Sequence, residues 1–367
     1  MIKKLDSFKN NIIYHIIVIF VGMGFMTASS LAITLEEALD LALKTNSQIV
    51  AARQNYLAQR ESITQIAAQK LPSVTANVST NKVWDLKDND DVDSLAADLT
   101  ANYTLFDGNR TIHNLRAEKY RLQRIEVELV GVEQKVLFDA IVAYLNVLKD
   151  IRLVELSSKN VVMLKQQLAA TTSRYELGEV TLTDVAQATA ALEAANSVLV
   201  SREGVLTLSK SLFETIVGIK AEELDTKIEL PDLPSSLAAA KKLAESSNLS
   251  LKAGFLSEKR AKALWEASKS KSLPTVNISS SISGGEATSN SDYSNFGITF
   301  RGSIPIYSGG ALKSGEREAF SSLEAAMANT VITRLGVIQN VMTAWSDFEV
   351  ATAIINARIR QVEATEL

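Results

Sequence analysis

Cysteine is absent from this chain of 367 residues, and histidine occurs only twice. Without cysteine the chain forms no disulfide bond and has no thiol that could bind zinc or carry an acyl group. The histidines are His15, in the N-terminal apolar run, and His113, alone on a predicted helix. Neither a histidine-based metal site nor a Ser/His/Asp triad is supported by such a set. No phosphate-binding loop is present either, so the sequence predicts neither an enzyme nor a cofactor.

An excess of positive charge is also lacking. The chain has 38 basic and 42 acidic residues and no long basic block. Proteins that bind nucleic acids concentrate positive charge on one surface, so we expect no nucleic-acid partner. The acidic stretch 88–93 resembles a calcium loop, but its sixth position is not glycine and its twelfth is Leu99. We therefore interpret the stretch as a solvated acidic loop.

Only the N-terminus has a long apolar run. Three lysines precede the run 12–26, and the small residues Ser30 and Ala32 follow it. This pattern predicts a secretory signal peptide over residues 1–32. The alternative is an anchoring helix, but about 15 residues rise only about 22 Å, less than the roughly 30 Å of a membrane core. If the mature chain enters a membrane, we expect it to do so as strands.

The sequence repeats itself about 200 residues further along. A period this long indicates a duplicated structural half rather than a solenoid unit. We predict a first repeat over 33–220, a linker over 221–236 and an incomplete second repeat over 237–367, which corresponds to an apparent C-terminal truncation. The matches are Leu35, Leu41, Ala42, Asn46, Leu71, Pro72 and Val74 with Leu237, Leu243, Ala244, Asn248, Leu273, Pro274 and Val276, and Phe106, Gly108, Val136, Ala143 and Tyr144 with Tyr307, Gly309, Val337, Ala344 and Trp345.

Proline and glycine are scarce in the middle of the first predicted repeat. No proline lies between Pro72 and Pro231, and Gly131 is the only glycine between Asn109 and Leu177. A helix over 109–176, about 100 Å long, is therefore allowed. Heptad spacing predicts that this helix pairs with a second one in a coiled coil. The predicted contact positions are Leu137, Ile141, Tyr144, Leu148 and Ile151 on the first helix, and Leu182, Val185, Thr189, Leu192, Asn196 and Leu199 on the second.

A short break separates the two predicted helices. Gly178 can leave a helix in the left-handed conformation, and Thr181 or Thr183 can cap the helix that follows. The sequence therefore predicts a long helical hairpin over 109–218.

Four segments alternate apolar residues with serine, threonine and asparagine. They predict two-faced strands over about 72–80, 97–106, 274–283 and 295–306. Their lengths approach those of tilted membrane strands. A soluble sheet is the alternative, but a consistently polar second face favours a water-filled lumen. Four strands cannot close a barrel, so we expect two chains to share eight strands or three chains to share twelve, and an open channel favours three.

Three features together resemble the TolC family of outer-membrane efflux and secretion channels, over about 34–367. They are the pattern 174–185, the strand-to-helix turns 105–108 and 304–310, and the duplicated halves. The resemblance implies a mixed α and β membrane protein, a homotrimer with a shared twelve-stranded barrel in outer-membrane lipid. It also implies a coiled-coil α-helical tunnel through the periplasm of a Gram-negative-type envelope.

The resemblance further implies partners and a function. The partners are a periplasmic adaptor (membrane fusion) protein and an inner-membrane pump of the RND or ABC type. The function is passive export of small molecules or polypeptides, in a tripartite efflux pump or in type I secretion. The alternative is a non-channel coiled-coil protein with a structural or binding role in the cell envelope.

The predicted hairpin is the candidate site. The resemblance implies that its tip docks the adaptor, through Leu177, Gly178, Glu179, Val180 and Thr181. It also makes Asp184 a candidate for gating, a residue that helps to hold the entrance closed against a neighbouring helix pair. The alternatives are that Gly178 only ends a helix and that Asp184 is a capping or solvated carboxylate. The family's second hairpin, which carries acidic constriction residues, has no counterpart in this sequence.

Overall fold

A computed structural model describes residues 32–84, 91–228, 231–287 and 292–365. The predicted signal peptide, apart from Ala32, and residues 88–90 of the predicted acidic loop lie outside these ranges. The described helices are α1 (Leu35–Thr45), α2 (Ser47–Ala68), α3 (Arg110–Glu176), α4 (Leu182–Val217), α5 (Leu237–Ser247), α6 (Leu249–Ser270) and α7 (Ala311–Thr365). The described strands are β1 (Ser73–Trp84), β2 (Asp91–Phe106), β3 (Thr275–Ala287) and β4 (Tyr293–Ser303).

The order of these elements confirms the duplication. Two short helices, two strands and a long helix occur in that order twice, as α1 to α3 and again as α5 to α7. The matched asparagines have the same role in each copy: the Asn46 side chain accepts from Gln48 N before α2, and that of Asn248 accepts from Leu251 N before α6. The exact limits predicted for the repeats, 33–220 and 237–367, stay predictions.

The chain divides into two compact units. Of the described residues, the first unit contains 32–44 and 139–228, and the second contains 45–84, 91–138, 231–287 and 292–365. The first unit therefore contains α1, most of α3 and α4. The second contains the sheet, α2, the start of α3 and helices α5 to α7.

Helix α3 is continuous for 67 residues, as the scarcity of proline and glycine predicted. The prediction of its contact positions is confirmed at Tyr144, and the other buried side chains of this stretch lie one residue before the predicted positions. The buried side chains are Val136, Ala140, Ala143, Tyr144 and Val147, whereas Leu137, Ile141, Leu148 and Ile151 are half-buried. The spacing is the same, but the stripe is rotated. None of the helices in the described ranges is both long enough and apolar enough to cross a membrane.

Helix α4 follows its predicted pattern more closely. Val185, Leu192, Asn196 and Leu199 are half-buried, but Leu182 and Thr189 are exposed. Near its C-terminal end, Phe213 is fully buried beside Tyr144 of α3, with ring centroids 6.2 Å apart. An aromatic pair of this kind adds to the hydrophobic burial of both rings.

The four strands form one antiparallel sheet in the order β1-β2-β3-β4. Each strand pairs with the next along the sheet, and the pairing is regular except for a bulge at Thr104–Phe106 between β2 and β3. The predicted strands were too short for β1, which runs to Trp84, and for β3, which runs to Ala287, and the predictions were wrong in two further places. Asp91–Asp93 belong to β2 rather than to an acidic loop, and β4 ends at Ser303 instead of reaching 306. Pro305 explains the second difference because it has no N–H to donate.

Candidate functional site

The hairpin tip begins with a well-formed helix end. Gly178 has a φ of +77°, and no atom lies within 4 Å of the position a Cβ would take. Gly178 N donates to Tyr175 O at 2.9 Å, and Glu179 N donates to Arg174 O at 2.9 Å. These two bonds are those of the Schellman motif, which satisfies carbonyl groups left free at a helix end. A 3.2 Å ion pair joins Arg174 Nε to Glu179 Oε2 over the same turn.

On the other side of the tip, α4 begins after its N-cap residue, Thr181. Thr181 was one of the two residues predicted to cap this helix. Asp184 N donates to Thr181 Oγ1 at 3.4 Å, and Thr181 N donates to Asp184 Oδ2 at 2.7 Å. The Thr181 hydroxyl also donates to Asp184 Oδ2 at 2.7 Å. This reciprocal arrangement is a capping box. A helix end and a helix start therefore fix the tip from both sides.

The tip presents apolar side chains to solvent. Leu177 is 75% exposed and Leu182 is 65% exposed. Gly178, Glu179 and Thr181 are exposed as well, and Val180 is half-buried. The five predicted docking residues form one hydrogen-bonded turn between α3 and α4.

Asp184 has a structural role at this place. The hydrogen bonds from the side chain and then from the backbone of Thr181 lower the pKa of its carboxyl group. The carboxylate is therefore the form that holds the capping box together. This supports the capping interpretation of Asp184, and its role in gating stays a prediction.

The sheet has one polar and one apolar face across all four strands, as the alternation predicted. Because the strands pair in register, residues of like character fall into rows. Rows on the polar face are Asn77, Asp98, Ser283 and Asn295; Thr75, Thr100, Ser281 and Gly297; and Ser73, Asn102, Ser279 and Thr299. Rows on the opposite face are Ala76, Leu99, Ile282 and Phe296; Val74, Ala101, Ser280 and Ile298; and Tyr103, Ile278 and Phe300.

Side chains on the apolar face are exposed in this chain. Val78 is 76% exposed, Phe296 67% and Phe300 70%. A contiguous apolar face of this kind marks a surface that contacts lipid or another protein. The polar face carries few charges. Its Asp98 accepts a hydrogen bond from Asn77 Nδ2 at 2.9 Å and one from Thr100 Oγ1 at 3.2 Å, and Arg301 lies opposite Asn277.

The junction of β2 with α3 was missed as a site by sequence reasoning. Asp107 is buried, and its Oδ2 accepts from Thr111 N at 2.8 Å and from Thr111 Oγ1 at 2.5 Å. Burial alone raises the pKa of Asp107, but these bonds and the charges of Arg110 and Lys70 outweigh it and lower the pKa. The available signal was an aspartate at the strand end with a threonine four residues later.

Next to Asp107, two segments of the second unit approach each other very closely. Gly108 has a φ of +66°, and a Cβ at this position would lie 2.7 Å from Leu273 Cβ and 2.9 Å from Ser270 O. A glycine is therefore required both by the conformation and by the space. This contact ties the start of α3 to the end of α6.

His113 lies on α3, as the sequence predicted, and it faces a charged pair. Its Nδ1 lies 3.1 Å from Glu266 Oε2, and Arg116 NH1 lies 3.1 Å from the same oxygen. The pair Arg116 and Glu266 fixes α3 against α6. Helix periodicity alone gave no sign of this contact because the partners are 150 residues apart.

A two-faced four-stranded sheet continuous with long helices defines the fold of outer-membrane channels. The structure of the outer-membrane channel OprN superposes with a TM-score of 0.73 and 18% identity, covering 90% of this chain and 77% of OprN. The outer membrane efflux protein BepC of Brucella suis biovar 1 (strain 1330) is 26% identical over 355 residues, 95% of this chain and 77% of BepC. The outer membrane protein TolC of Salmonella enteritidis is 24% identical over 365 residues, 91% of this chain and 71% of TolC.

The sequence profile described as "Outer membrane efflux protein" matches residues 38–212 and 241–366. The chain therefore belongs to the outer membrane efflux protein family. It is an outer-membrane channel protein and not an enzyme, as the sequence predicted. The matched ranges include both sheet hairpins and the helical hairpin with its tip.

Proposed function

We propose that three copies of this chain form a passive export channel in the outer membrane. The observation that carries the proposal is the strand register, which collects the polar side chains of all four strands on one face and the apolar side chains on the other. A polar face suits a water-filled lumen, and an apolar face suits lipid. The opposite assignment would place serine, threonine and asparagine rows in hydrocarbon, which is costly.

The edges of the sheet support the number of copies. β1 and β4 are the edge strands, with 12 and 11 residues. Unpaired edges are not tolerated in lipid, so each edge needs a partner strand. Joining β4 of one copy to β1 of the next closes twelve strands with three copies. Two copies would close eight strands, whose interior is filled by side chains and leaves no open path.

The second part of the proposal concerns the exposed tip between α3 and α4. We propose that Leu177, Gly178, Glu179, Val180 and Thr181 form the docking surface for a periplasmic adaptor protein. The two exposed leucines provide apolar contact, and the Schellman motif and the capping box fix the geometry in advance, which reduces the entropy lost on binding. In this assembly, Asp184 would contribute to closing the entrance.

The channel itself supplies a path and no energy. We propose that an inner-membrane pump of the RND or ABC type drives transport through it. Cargo is either small molecules in efflux or polypeptides in type I secretion. The polar face, with its hydroxyl and amide groups, interacts weakly with cargo of either charge.

Cysteine cross-linking tests the number of copies, because the chain has no cysteine of its own. Pairs are placed on the two edge strands, with Thr75→Cys or Asn77→Cys on β1 and Asn295→Cys or Thr299→Cys on β4. Oxidation is expected to give covalent trimers. A control pair, Thr100→Cys on central β2 with Asn295→Cys, should give none. Covalent dimers as the final product, or no cross-links at all, would contradict the proposal.

Conductance tests the pore directly. Purified protein in planar bilayers is expected to give stable ion-conducting steps, and these steps should be retained by the covalent trimers. Trimers that never conduct would indicate that the polar face does not line an open path. The alternative, a non-channel structural or binding protein of the envelope, is favoured by no specific observation.

The tip proposal has its own test. Leu177→Asp should lower the capture of a purified periplasmic adaptor from the same envelope by about tenfold, because it places a charge in an apolar contact. Leu156→Asp is the matched control, since Leu156 is 64% exposed on α3 but is distant in sequence from the tip. Equal capture by both variants would exclude the tip as the docking surface.

A further inference from the structure

A cavity of about 570 Å³ lies in the second unit, among α3, α6 and α7. Three of its lining residues are cations: Arg110 at the start of α3, Arg260 on α6, and Lys271 at the end of α6. One carboxylate, Glu318 of α7, lines it as well. The charged groups of the lining therefore sum to an excess of positive charge.

None of the three cations forms a close ion pair within the described ranges. No carboxylate oxygen of the described chain lies within 4.0 Å of the charged nitrogens of Arg110, Arg260 or Lys271. Close ion pairs are common elsewhere on these helices, as Arg116 with Glu266 and Arg121 with Glu118 illustrate. The cavity thus collects three cations, none of which is in a close ion pair with a carboxylate of the described chain.

Arg260 is the cation with the least favourable surroundings. Its Nε is buried and has no hydrogen-bond partner in the described part of the chain. Burial, and then the like charge of Arg121, lower the pKa of its guanidinium, and only Glu118 acts in the opposite direction. A partly buried guanidinium beside other arginines is unfavourable unless an anion compensates it.

We propose that this cavity binds a phosphate group. Guanidinium groups form paired hydrogen bonds with phosphate oxygens, and a lysine adds a point charge. Neutral donors line the same cavity, among them Asn114 and Ser268. Leu264 and Ala261 give it an apolar part, so the ligand is an organic phosphate rather than a bare ion. The proposal does not depend on the channel function, and either can fail alone.

Two sources can supply such a group. Arg110 follows the end of β2 by a few residues, and Lys271 precedes β3 by a few residues, so the cavity lies beside the sheet. A phospholipid headgroup reaches this level if the sheet lies in lipid, and a free phosphorylated solute reaches it from water. The chemistry that recognises them is the same, and the experiment separates them.

The experiment measures binding to the full chain in detergent. Calorimetry with glycerol 3-phosphate tests the free source, and native mass spectrometry with phosphatidylglycerol tests the lipid source. Diacylglycerol, which lacks the phosphate, serves as the comparison for the lipid. Binding of phosphatidylglycerol alone identifies a lipid site, whereas binding of glycerol 3-phosphate identifies a site for soluble phosphates.

Variants connect the binding to the cavity. Arg260→Gln is expected to weaken binding by about tenfold or more, the effect of losing one charge-assisted contact. Arg260→Lys keeps the charge and should retain part of the affinity. Arg317→Gln is the matched control, because Arg317 is exposed on α7 and does not line the cavity. The proposal is wrong if neither phosphate compound binds, or if Arg260→Gln binds as well as the unchanged chain.

Discussion

The hydroxyl oxygen of Tyr144 lies 2.8 Å from the carbonyl oxygen of Ile33, so α3 holds the chain segment that precedes α1. The same hydroxyl lies 2.7 Å from Asp225 O. Ile33 in turn pairs with the segment after α4, through Ile33 N to Glu223 O at 2.9 Å and Asp225 N to Ile33 O at 3.0 Å. Within the first unit, one tyrosine therefore joins two chain segments that are far apart in sequence.

Tyr144→Phe removes the hydroxyl and keeps the buried ring. We expect the free energy of unfolding to fall by about 0.5–1.5 kcal/mol, because the part-buried hydrogen bond of the hydroxyl to the carbonyl groups is lost. Denaturant unfolding followed by circular dichroism measures the change. Tyr175→Phe is the control, since Tyr175 is exposed. Equal losses in the two variants would show that the hydroxyl of Tyr144 contributes nothing specific.

Gly108→Ala should destabilise the β2–α3 junction strongly. The positive φ costs about 1–2 kcal/mol for alanine, and the contact of the new Cβ with Leu273 and Ser270 adds a steric term, so we expect a loss of at least about 2 kcal/mol. The control is Gly309→Ala at the equivalent position of the second repeat. Gly309 has a φ of +59° but no atom near the Cβ position, so only the conformational cost remains. Thermal unfolding compares the two, and the close approach is irrelevant if they lose the same stability.

Neighbouring residues of β4 should respond oppositely to lysine. Ile298 lies on the apolar face and Thr299 on the polar face. If the apolar face contacts lipid, Ile298→Lys costs about 2–4 kcal/mol near the membrane midplane, and folding into phospholipid bilayers should fail or slow. Thr299→Lys should fold normally and shift the reversal potential of the channel toward anions. Normal folding of Ile298→Lys would place the apolar face away from lipid.

The tip should loosen in acid. The hydrogen bonds with Thr181 lower the pKa of Asp184 in the folded chain. The capping box therefore contributes its full stability at pH values above the ordinary aspartate pKa, near 4, and this contribution is lost as the pH falls through the lowered pKa. Because the chain has no cysteine of its own, a nitroxide reagent labels the variant Ala186→Cys at that one position. The mobility of this label in electron paramagnetic resonance should rise as pH falls from about 5 toward 2.

Asp184→Asn should remove this pH step, because the amide does not titrate. Glu193→Gln on the same helix is the matched control and should leave the step unchanged. If the label in Asp184→Asn still becomes mobile in acid, another group controls the tip.

Structural features that depend on residues adjacent in the sequence could be predicted. Gly178 and Thr181 gave both ends of the tip, because helix ends depend on a few adjacent backbone groups. Alternation gave the two faces of every strand, because successive side chains in a strand point to opposite sides. The duplication gave the order of elements in the second half from the first.

Features that depend on distant partners could not be predicted. Apart from Tyr144, which was predicted, the buried side chains in this stretch of α3 lie one residue from the predicted positions. Periodicity gives the spacing of such a stripe, and the packing partners select which side of the helix is buried. The contact of His113 with Glu266, and the clustering of Arg110 with Arg260 and Lys271, bring α3 together with residues that are about 150 or more positions further along the chain. No local pattern marks such residues.

The sequence by itself determined the kinds of elements, their order and the polarity of each strand face, because these follow from backbone conformation and side-chain period. Only the tertiary structure decided which strand lies beside which, which side of α3 is buried and where unpaired cations meet. These depend on strand register and on helix packing, and both are set by contacts between residues that the chain brings together only when it folds.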